Sequence, residues 1–324
     1  MSEITYRSAI AAAIGDAMEA DEDVFLLGED VGKAGGAFKA TEGLYDRFGR
    51  ERVLDTPISE QAIVGTAIGA AVMGLRPVAE IMFADFAAVC FDQIVNELAK
   101  YRYMTGGQVH VPVTIRLGNG AGGFAAQHSQ PAENWFLNVP GLKVVVPGTP
   151  ADLYGLLRAA IEDPDPVLVF EHKALFNIKE SFPQNGSTPA IGQAKIVREG
   201  TDVTVIATQL MRHRALEVAD ELAGEDIEVE LIDPRSLVPL DSETLCGSVE
   251  KTHRLIVAQE SSSFGSWGSS VLAQLVPQTF ESLDAPPLLI GSDETPVPYA
   301  GALESAWMPS AERIAAAVRE TVSY

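Results

Sequence analysis

The sequence of 324 residues is poor in cysteine, and it has no apolar run long enough to cross a membrane. Its two cysteines, Cys90 and Cys246, exclude a disulfide framework and a cysteine-rich zinc site, so we expect buried free thiols in a reducing cytosol. The apolar run from Ala62 to Leu75 falls short of the roughly 20 residues that a spanning helix needs. The start, Met1-Ser2-Glu3, lacks the basic and apolar stretch of a signal peptide, which predicts a cytoplasmic location.

Positive charge is scarce as well. The chain has 23 lysines and arginines against 45 aspartates and glutamates, a formal net charge of −22 at pH 7. That balance disfavours nucleic acid, which is itself anionic, and permits attraction of a basic partner. An acidic surface that merely keeps the protein in solution explains it equally well. The common catalytic signatures are missing too, since there is no G-x-S-x-G, no H-E-x-x-H and no cluster of metal-spaced cysteines.

Apolar strand patterns alternate with helical patterns along most of the chain. Strands are predicted at 24–30, 76–86, 111–118, 142–149 and 166–172, and helices at 4–20, 56–74, 90–104 and 150–163. A loose stretch rich in proline, glycine and polar residues separates this series from a second one of the same kind. The alternation predicts an α/β fold of two domains with mainly parallel sheets: a first domain over 1–185, a linker over 186–200 and a second domain over 201–324.

One segment, TPISEQAIVGTAIGAAVMG at 56–74, begins with a carboxylate and continues almost wholly apolar and small. Ser59 is a good N-cap and an acid in the first turn complements the helix dipole, so the plain interpretation of Glu60 is structural. Gly65 and Gly69, however, each weaken a helix by up to about 1 kcal/mol relative to alanine and leave one face bare. The pattern predicts a buried helix packed closely against a partner, where a carboxylate is costly unless it has a function.

A glycine-rich loop, GNGAGG at 118–123, follows a predicted strand and fits the G-x-G-x-x-G pattern of dinucleotide-binding enzymes. That alternative lacks its context, because no clear helix follows before Pro131 and no ribose-binding acid stands about 20 residues on. His128 comes just after the loop. A histidine there serves either as a proton shuttle or as an ordinary hydrogen-bonded residue, and both interpretations stay open. Phe86, at the end of a strand, suits stacking on a planar ring.

Several long motifs together resemble one family. They are GEDVGKAGGAFKAT, DTPISEQAIVG, GLRPVAEIMFADF, DQIVNELAKYRYM, AAQHSQ, GLKVVVPGTPAD, LIDPRSLVPLD and LDAPPLLIGSDETPVPYAGALE. In this order, over nearly the whole chain, they resemble the beta subunit of the thiamine-dependent decarboxylase (dehydrogenase) component of 2-oxo acid dehydrogenase complexes. The resemblance implies a transketolase-type pyrimidine-binding domain over 1–185, followed by a transketolase C-terminal-like domain over 201–324.

The resemblance also gives Glu60 a chemical role. Thiamine diphosphate becomes a nucleophile when its 4′-amino group, in the imino form, removes the C2 proton, and a carboxyl group hydrogen-bonded to N1′ promotes that tautomer. By its match to the family motif, Glu60 is that group, and the cofactor supplies the electron sink for decarboxylation. By the same match Phe86 stacks on the pyrimidine, with Glu29, Ile58 and Met82 binding the cofactor nearby. His128 is the second catalytic candidate.

The family implies partners as well as a cofactor. The diphosphate needs Mg²⁺ held by a G-D-G motif, which the sequence lacks, so the resemblance places those ligands on an alpha subunit in an α2β2 heterotetramer. It also implies a lipoyl-bearing dihydrolipoyl acyltransferase as a partner, and neither nucleic acid nor membrane. A potassium-type ion is common in the family, and Asp165 stands where an asparagine is common among its ligands. The matching positions are Val113, Ala160, Ile161, Asp163 and Asp165.

The resemblance leaves the substrate open. AAQHSQ is similar to the pyruvate and acetoin branches, and EHKALF at 171–176 to the acetoin-type EHKLLY, with Phe176 in place of tyrosine. The expected function is oxidative decarboxylation of a pyruvate-like 2-oxo acid, or cleavage of acetoin, with acyl transfer to a lipoyl domain. Such an oxidoreductase is active only with its alpha subunit. The alternatives are a branched-chain 2-oxo acid dehydrogenase beta subunit, a transketolase-like half-enzyme acting on sugars, and a scaffold subunit without chemistry of its own.

Overall fold

The computed structural model describes residues 2–182 and 189–324, which form two compact units. The first unit comprises Met1–Asn119 and Trp135–Ile191, and the second comprises Gly120–Asn134 and Gly192–Tyr324. The predicted end of the first domain, at residue 185, lies outside the described residues, so the predicted domain limits stay a prediction. Most of the glycine-rich loop therefore belongs to the second unit, although strand and loop are continuous in sequence.

Strands and helices alternate along the chain, as predicted. The described strands are β1 (Ser2–Thr5), β2 (Val24–Gly28), β3 (Val53–Asp55), β4 (Arg76–Ile81), β5 (Thr114–Asn119), β6 (Lys143–Val145), β7 (Val167–His172), β8 (Lys179–Phe182), β9 (Lys195–Arg198), β10 (Val203–Ala207), β11 (Val229–Asp233), β12 (Ser236–Val238), β13 (Leu255–Ser262) and β14 (Leu288–Ser292). The described α-helices are α1 (Tyr6–Ala20), α2 (Leu44–Phe48), α3 (Glu60–Val72), α4 (Tyr101–Met104), α5 (Ala125–His128), α6 (Pro150–Glu162), α7 (Gln209–Leu222), α8 (Ser242–Thr252), α9 (Trp267–Thr279), α10 (Gly301–Trp307) and α11 (Ala311–Val322).

The first unit is built on a parallel sheet with the strand order β6–β7–β5–β4–β2–β3. Its central strands are buried except at Arg76, the first residue of β4, which is why their sequences are mostly apolar rather than alternating. Helices α1 and α6 pack against each other, and α3 packs on β4. Helix α6 begins where its sequence predicts, since Thr149 accepts the Asp152 N–H at 3.1 Å and Pro150 occupies the first helical position.

The helix of the 56–74 segment, α3, is buried on one face only. Ile63 and Val64 lie in the core, whereas Gly65 and Gly69 are exposed, and a Cβ added at either glycine would meet no atom within 4 Å. Ser59 occupies the N-cap position without a side-chain hydrogen bond to the helix. The predicted burial therefore holds for one face, and the glycine face is open in this chain.

The second unit contains a five-stranded sheet in the order β14–β13–β10–β11–β9. Its neighbours run parallel except β9, which is antiparallel to β11. The core beside it includes Met211 and Val218 of α7 and Ile314 and Val318 of α11. Two α/β units with mainly parallel sheets confirm the predicted fold class.

One predicted helix is wrong. The segment 90–104, expected to form a single amphipathic helix, contains a π-helical stretch over Gln93–Leu98, and α4 follows it. The Ala99 N–H bonds the Ile94 carbonyl, five residues earlier, at 3.0 Å, which is the π-helical spacing. Apolar periodicity does not distinguish this ladder from an α-helical one, so the sequence pattern gave no warning of the change.

A buried arginine joins the central strands of the first sheet. Glu80 on β4 and Arg116 on β5 are register partners, and Arg116 Nη1 donates to Glu80 Oε2 at 2.5 Å. On the other side, Arg116 Nε and Nη2 donate to the two carboxylate oxygens of Glu171 on β7, at 2.7 and 2.8 Å. Burial by itself lowers the pKa of Arg116, but the two carboxylates outweigh that effect and raise it.

We expect Arg116→Met to destabilise the first unit by about 3–5 kcal/mol, because it leaves two carboxylates buried without their cation. Arg116→Lys should fall between that variant and the wild type, since it keeps the charge but loses the two-pronged contact. Arg47→Met, at an ion pair with Glu19 whose side chains are 45% and 62% exposed, is the control and should change the unfolding midpoint little. Equal effects of the Arg116 and Arg47 changes on the midpoint would contradict this account.

Candidate active site

Three neighbouring strands of the first unit, β3, β2 and β4, end at the same edge of the sheet. In open α/β sheets, ligands bind beyond the carboxyl ends of the strands. All five predicted cofactor-binding residues follow these ends. They are Glu29 after β2, Ile58 between β3 and α3, Glu60 as the first residue of α3, Met82 after β4, and Phe86 in the 3₁₀ turn Ala84–Ala88.

Glu60 is the buried acid of this edge. The residue is 6% exposed, and it lies close enough to Glu29 to contribute to the raised pKa of that acid. The Glu60 carboxyl group is therefore buried beside a second acid at the start of α3.

Glu29 is the acid of this pair that retains a proton more readily than usual. Burial raises the pKa of Glu29, and the nearby Glu60, Asp30 and Glu80 raise it further. Glu29 follows Gly28, which is the register partner of Glu80 on β4. The edge therefore concentrates carboxyl groups around Glu60.

Aromatic side chains line the neighbouring part of the unit. The Phe86 ring meets Phe83 edge to face, with centroids 5.8 Å apart, and Phe38 meets Phe83 in the same manner at 5.5 Å. Lys173 Nζ lies 5.9 Å from the Phe83 ring centroid. Phe86 is half-buried, so part of its ring surface is accessible for a planar ligand.

Sequence reasoning missed three residues of this environment, Glu80, Phe38 and Lys173. A signal existed for Glu80, because an acid inside the apolar strand RPVAEI is costly unless it is paired. Lys173 is 7% exposed and belongs to the EHK motif, whose chemistry the sequence did not reveal. No local sequence signal marks Phe38, which lies in the segment between β2 and α2.

Both cysteines are free, as predicted. Cys90 is fully buried, and burial, together with the charge of Glu60, raises the pKa of its thiol to about 12. Cys246 is partly exposed, contrary to the expectation that both thiols are buried, and its pKa is raised mainly by partial burial. Neither thiol is activated as a nucleophile, because activation requires a lowered pKa.

The glycine-rich loop lies in the second unit and is held by two carboxylates. The Ala121 N–H donates to Glu260 Oε1 at 2.5 Å, and the Gly122 and Gly123 N–H groups both donate to Glu304 Oε1 at 3.1 Å. Phosphate-binding loops of the dinucleotide type use such N–H groups to bind the ligand. Here the protein's own acids take them, and the four-residue α5 replaces the long helix of that motif. The dinucleotide alternative is therefore not supported.

His128 is the last residue of α5 and is half-buried. The turn before it is tight, since Ala125 has a φ of 62° and the Phe124 N–H donates to Ser129 Oγ at 3.1 Å. His128 belongs to the second unit and the five cofactor-binding candidates belong to the first. The two parts of the predicted site are thus each organised within their own unit.

The five positions matched to a potassium-type ion lie where α6 ends and where β5 and β7 begin. The Val113 and Ile161 carbonyls accept from Val167 N–H at 3.0 Å and Arg76 Nη1 at 3.1 Å, and the Ala160 carbonyl accepts from Asp163 N–H at 3.3 Å. Lys143 Nζ binds both oxygens of Asp163, and Arg102 binds Asp165. Each carbonyl oxygen retains a second lone pair.

Within residues 2–182 and 189–324, no three histidine, cysteine or acidic side chains are grouped closely enough to hold a metal ion. The described helices also include none with the length and apolar character that crossing a membrane requires.

Two family models match the chain, the transketolase pyrimidine-binding domain over residues 2–179 and the transketolase C-terminal domain over residues 192–314. Among solved structures, the chain is similar to a split-gene transketolase described as an inactive beta4 tetramer. The TM-score is 0.82 at 26% sequence identity, and the match covers 99% of this chain and 98% of that chain. The family models and the fold thus define a two-domain chain of the transketolase type.

Comparison with curated relatives identifies the family within this class. The chain is 47% identical to acetoin:2,6-dichlorophenolindophenol oxidoreductase subunit beta of Cupriavidus necator, covering 99% of this chain and 98% of the relative. It is 45% identical to pyruvate dehydrogenase E1 component subunit beta-2, mitochondrial, of Oryza sativa (98% and 86% covered). It is 43% identical to 2-oxoisovalerate dehydrogenase subunit beta of Bacillus subtilis (100% of both chains). The chain belongs to the family of E1 beta subunits of 2-oxo acid and acetoin dehydrogenases, which confirms the resemblance.

The acid pair predicts a pH dependence of stability. A carboxyl group whose pKa is raised by folding contributes stability below its ordinary pKa, near 4.5, and loses that contribution as the pH rises through the raised value. Glu29→Gln keeps a neutral donor toward Glu60 at every pH. Its unfolding midpoint, measured without cofactor, should therefore rise relative to wild type between pH 4.5 and pH 8. Glu42→Gln, an exposed acid of the following loop, is the control, and a Glu29→Gln difference that stays constant with pH would contradict the prediction.

Proposed function

We propose that this chain supplies the pyrimidine-binding half of a thiamine diphosphate site in a dehydrogenase that acts on a 2-oxo acid or acetoin. The observation that carries the proposal is the buried Glu60 carboxyl group, which lies near Glu29 at the strand edge that also carries Phe86. The chemistry of this set fits the cofactor, because an aminopyrimidine ring offers a nitrogen for a carboxyl group and a face for an aromatic ring.

Glu60 would hold the pyrimidine N1′, and Glu29 would keep a proton within reach of that contact. Phe86 and Met82, both half-buried, would bound the ring, and Ile58, which is 84% exposed in this chain, would cover part of it. When bound, the cofactor supplies the carbanion-stabilising chemistry of decarboxylation. The work of this chain is then to orient the ring, exclude water from it and hold a proton at N1′.

The proposed assembly needs an alpha subunit. The chain carries no G-D-G motif, so the Mg²⁺ ligands and the diphosphate contacts are proposed to come from that subunit, in an α2β2 heterotetramer. The acyl acceptor is a lipoyl domain of a dihydrolipoyl acyltransferase. Two free cysteines suit the reducing cytoplasm, where we place the enzyme.

A potassium-type ion is proposed at the carbonyl groups of Val113, Ala160 and Ile161. Asp163 and Asp165, which are bound by Lys143 and Arg102, lie next to these groups. Its role would be to fix the end of α6 and not to enter the reaction. An unfolding midpoint of the complex that is the same in KCl and in choline chloride at equal ionic strength would contradict it.

The motif EHKALF does not by itself decide the substrate. Glu171 is bound to Arg116, and His172 Nδ1 accepts the Ala174 N–H at 3.2 Å, so these two polar residues have structural contacts. We propose a small acyl donor, acetoin or pyruvate, with branched-chain 2-oxo acids as the alternative. A panel of these compounds on the reconstituted enzyme distinguishes them.

His128 is proposed to serve acyl transfer, because an imidazole can deliver a proton to a leaving sulfur. His128→Ala should therefore lower acylation of a free lipoyl domain more than reduction of an artificial electron acceptor, which bypasses lipoate. Equal losses would assign His128 to an earlier step, and no loss would make it structural.

The half-site predicts that the purified chain binds thiamine diphosphate with Mg²⁺ very weakly and decarboxylates nothing. Addition of the alpha subunit should restore both binding and turnover. Titration calorimetry on the chain alone and on the reconstituted complex measures the difference. Tight binding to the isolated chain would contradict a shared site.

Glu60→Gln keeps the shape of the side chain but removes the acid, so the imino tautomer loses its support. We expect an intact complex whose turnover is lower by roughly 100-fold or more, the scale of a lost acid–base group. Glu51→Gln, an exposed acid of the same unit, is the matched control and should leave turnover unchanged. Near-normal turnover of Glu60→Gln would return Glu60 to the role of a helix-dipole partner.

A further inference from the structure

The glycine-rich loop is fixed by acids that are distant in sequence. Glu304 on α10 is 7% exposed, and one of its oxygens accepts two adjacent N–H groups, those of Gly122 and Gly123. Glu260 on β13, 8% exposed, accepts the preceding N–H, that of Ala121. Hydrogen bonds to an ionised acceptor are about twice as strong as neutral ones, so three consecutive amides are firmly bound.

This loop needs external support. Gly120 and Gly123 have φ angles of 78° and 84°, and Ala125 adopts the left-handed region at 62°, where an alanine is strained by about 1–2 kcal/mol. Helix α5 has four residues, far below the length at which a helix is stable by itself. His128 ends that helix, so its position depends on whatever holds the loop before it.

We propose that Glu304 is a positioning residue for His128, acting through the Gly122 and Gly123 amides. The inference rests on the proposed role of His128 in acyl transfer. Loss of the Glu304 carboxylate releases two of the three bound amides and lets the loop and α5 shift, while the pyrimidine-side residues belong to the other unit and keep their contacts.

The test compares Glu304→Leu, Glu304→Gln and His128→Ala in the complex reconstituted with the alpha subunit. Glu304→Leu should lower lipoyl-domain acylation by at least about 10-fold, because a small misplacement of a catalytic group can cause a rate loss of that size. It should lower artificial-acceptor reduction by less than about 3-fold. Glu304→Gln retains an oxygen acceptor and should restore both rates to within about 3-fold of wild type.

Amide hydrogen exchange gives a readout that does not depend on turnover. The Gly122 and Gly123 amides should exchange faster in Glu304→Leu and as in wild type in Glu304→Gln. The matched control is Glu230→Leu, because Glu230 is 1% exposed in the same unit and accepts the Gly200 N–H at 3.3 Å. It removes a buried carboxylate elsewhere and should leave both the loop amides and the ratio of the two rates unchanged.

Equal loss of both rates in Glu304→Leu, or unchanged loop exchange, overturns the inference. So does a ratio of rates that Glu230→Leu shifts as much as Glu304→Leu does. A wild-type complex that acylates no lipoyl domain would instead contradict the proposed function. If His128→Ala separates the two rates and Glu304→Leu does not, His128 keeps its role and Glu304 loses its own.

Discussion

The edge of the first sheet depends on the ion pairs that the buried guanidinium group of Arg116 forms with Glu80 and Glu171. It joins β4, β5 and β7 by side chains as well as by the backbone, in an interior where an unpaired carboxylate would be expelled or protonated. The same edge also carries Glu29 and Glu60. Burial raises the pKa of Glu29, and the neighbouring acids raise it further.

The second unit uses buried acids in a different manner. Glu260 and Glu304 accept hydrogen bonds from the backbone amides of a loop, and these bonds order that loop. Both devices depend on long-range contacts: Ala121 and Glu260 are 139 positions apart, and Gly122 and Glu304 are 182 apart. The chain therefore fixes both regions of interest with carboxylates, in one unit by a counter-ion and in the other by peptide N–H groups.

These distances explain what the sequence could and could not predict. The α/β class, the parallel order and the collection of Glu29, Glu60 and Phe86 at strand ends all follow from local patterns and from the resemblance. The Glu304 and Glu260 contacts have no local signal, because no sequence pattern near 120–123 identifies the acids that bind this loop. The π-helical stretch after Asp92 was missed because its apolar spacing satisfies an α-helix equally well, and the open face of α3 because small residues permit close packing without requiring it.

That open face has a consequence for order in the first unit. Two glycines in the middle of α3 lower its intrinsic stability, and no atom of the described residues lies within 4 Å of a Cβ added at either one. Segments of this kind open locally at a lower free energy than the surrounding core. Since Glu60 is the first residue of α3, local opening of the helix and displacement of its carboxyl group are one event. A partner surface that covers Gly65 and Gly69 in an assembly would therefore also raise the fraction of time that the Glu60 carboxyl group spends in place. Association would then be detectable at the strand edge as a change in local order.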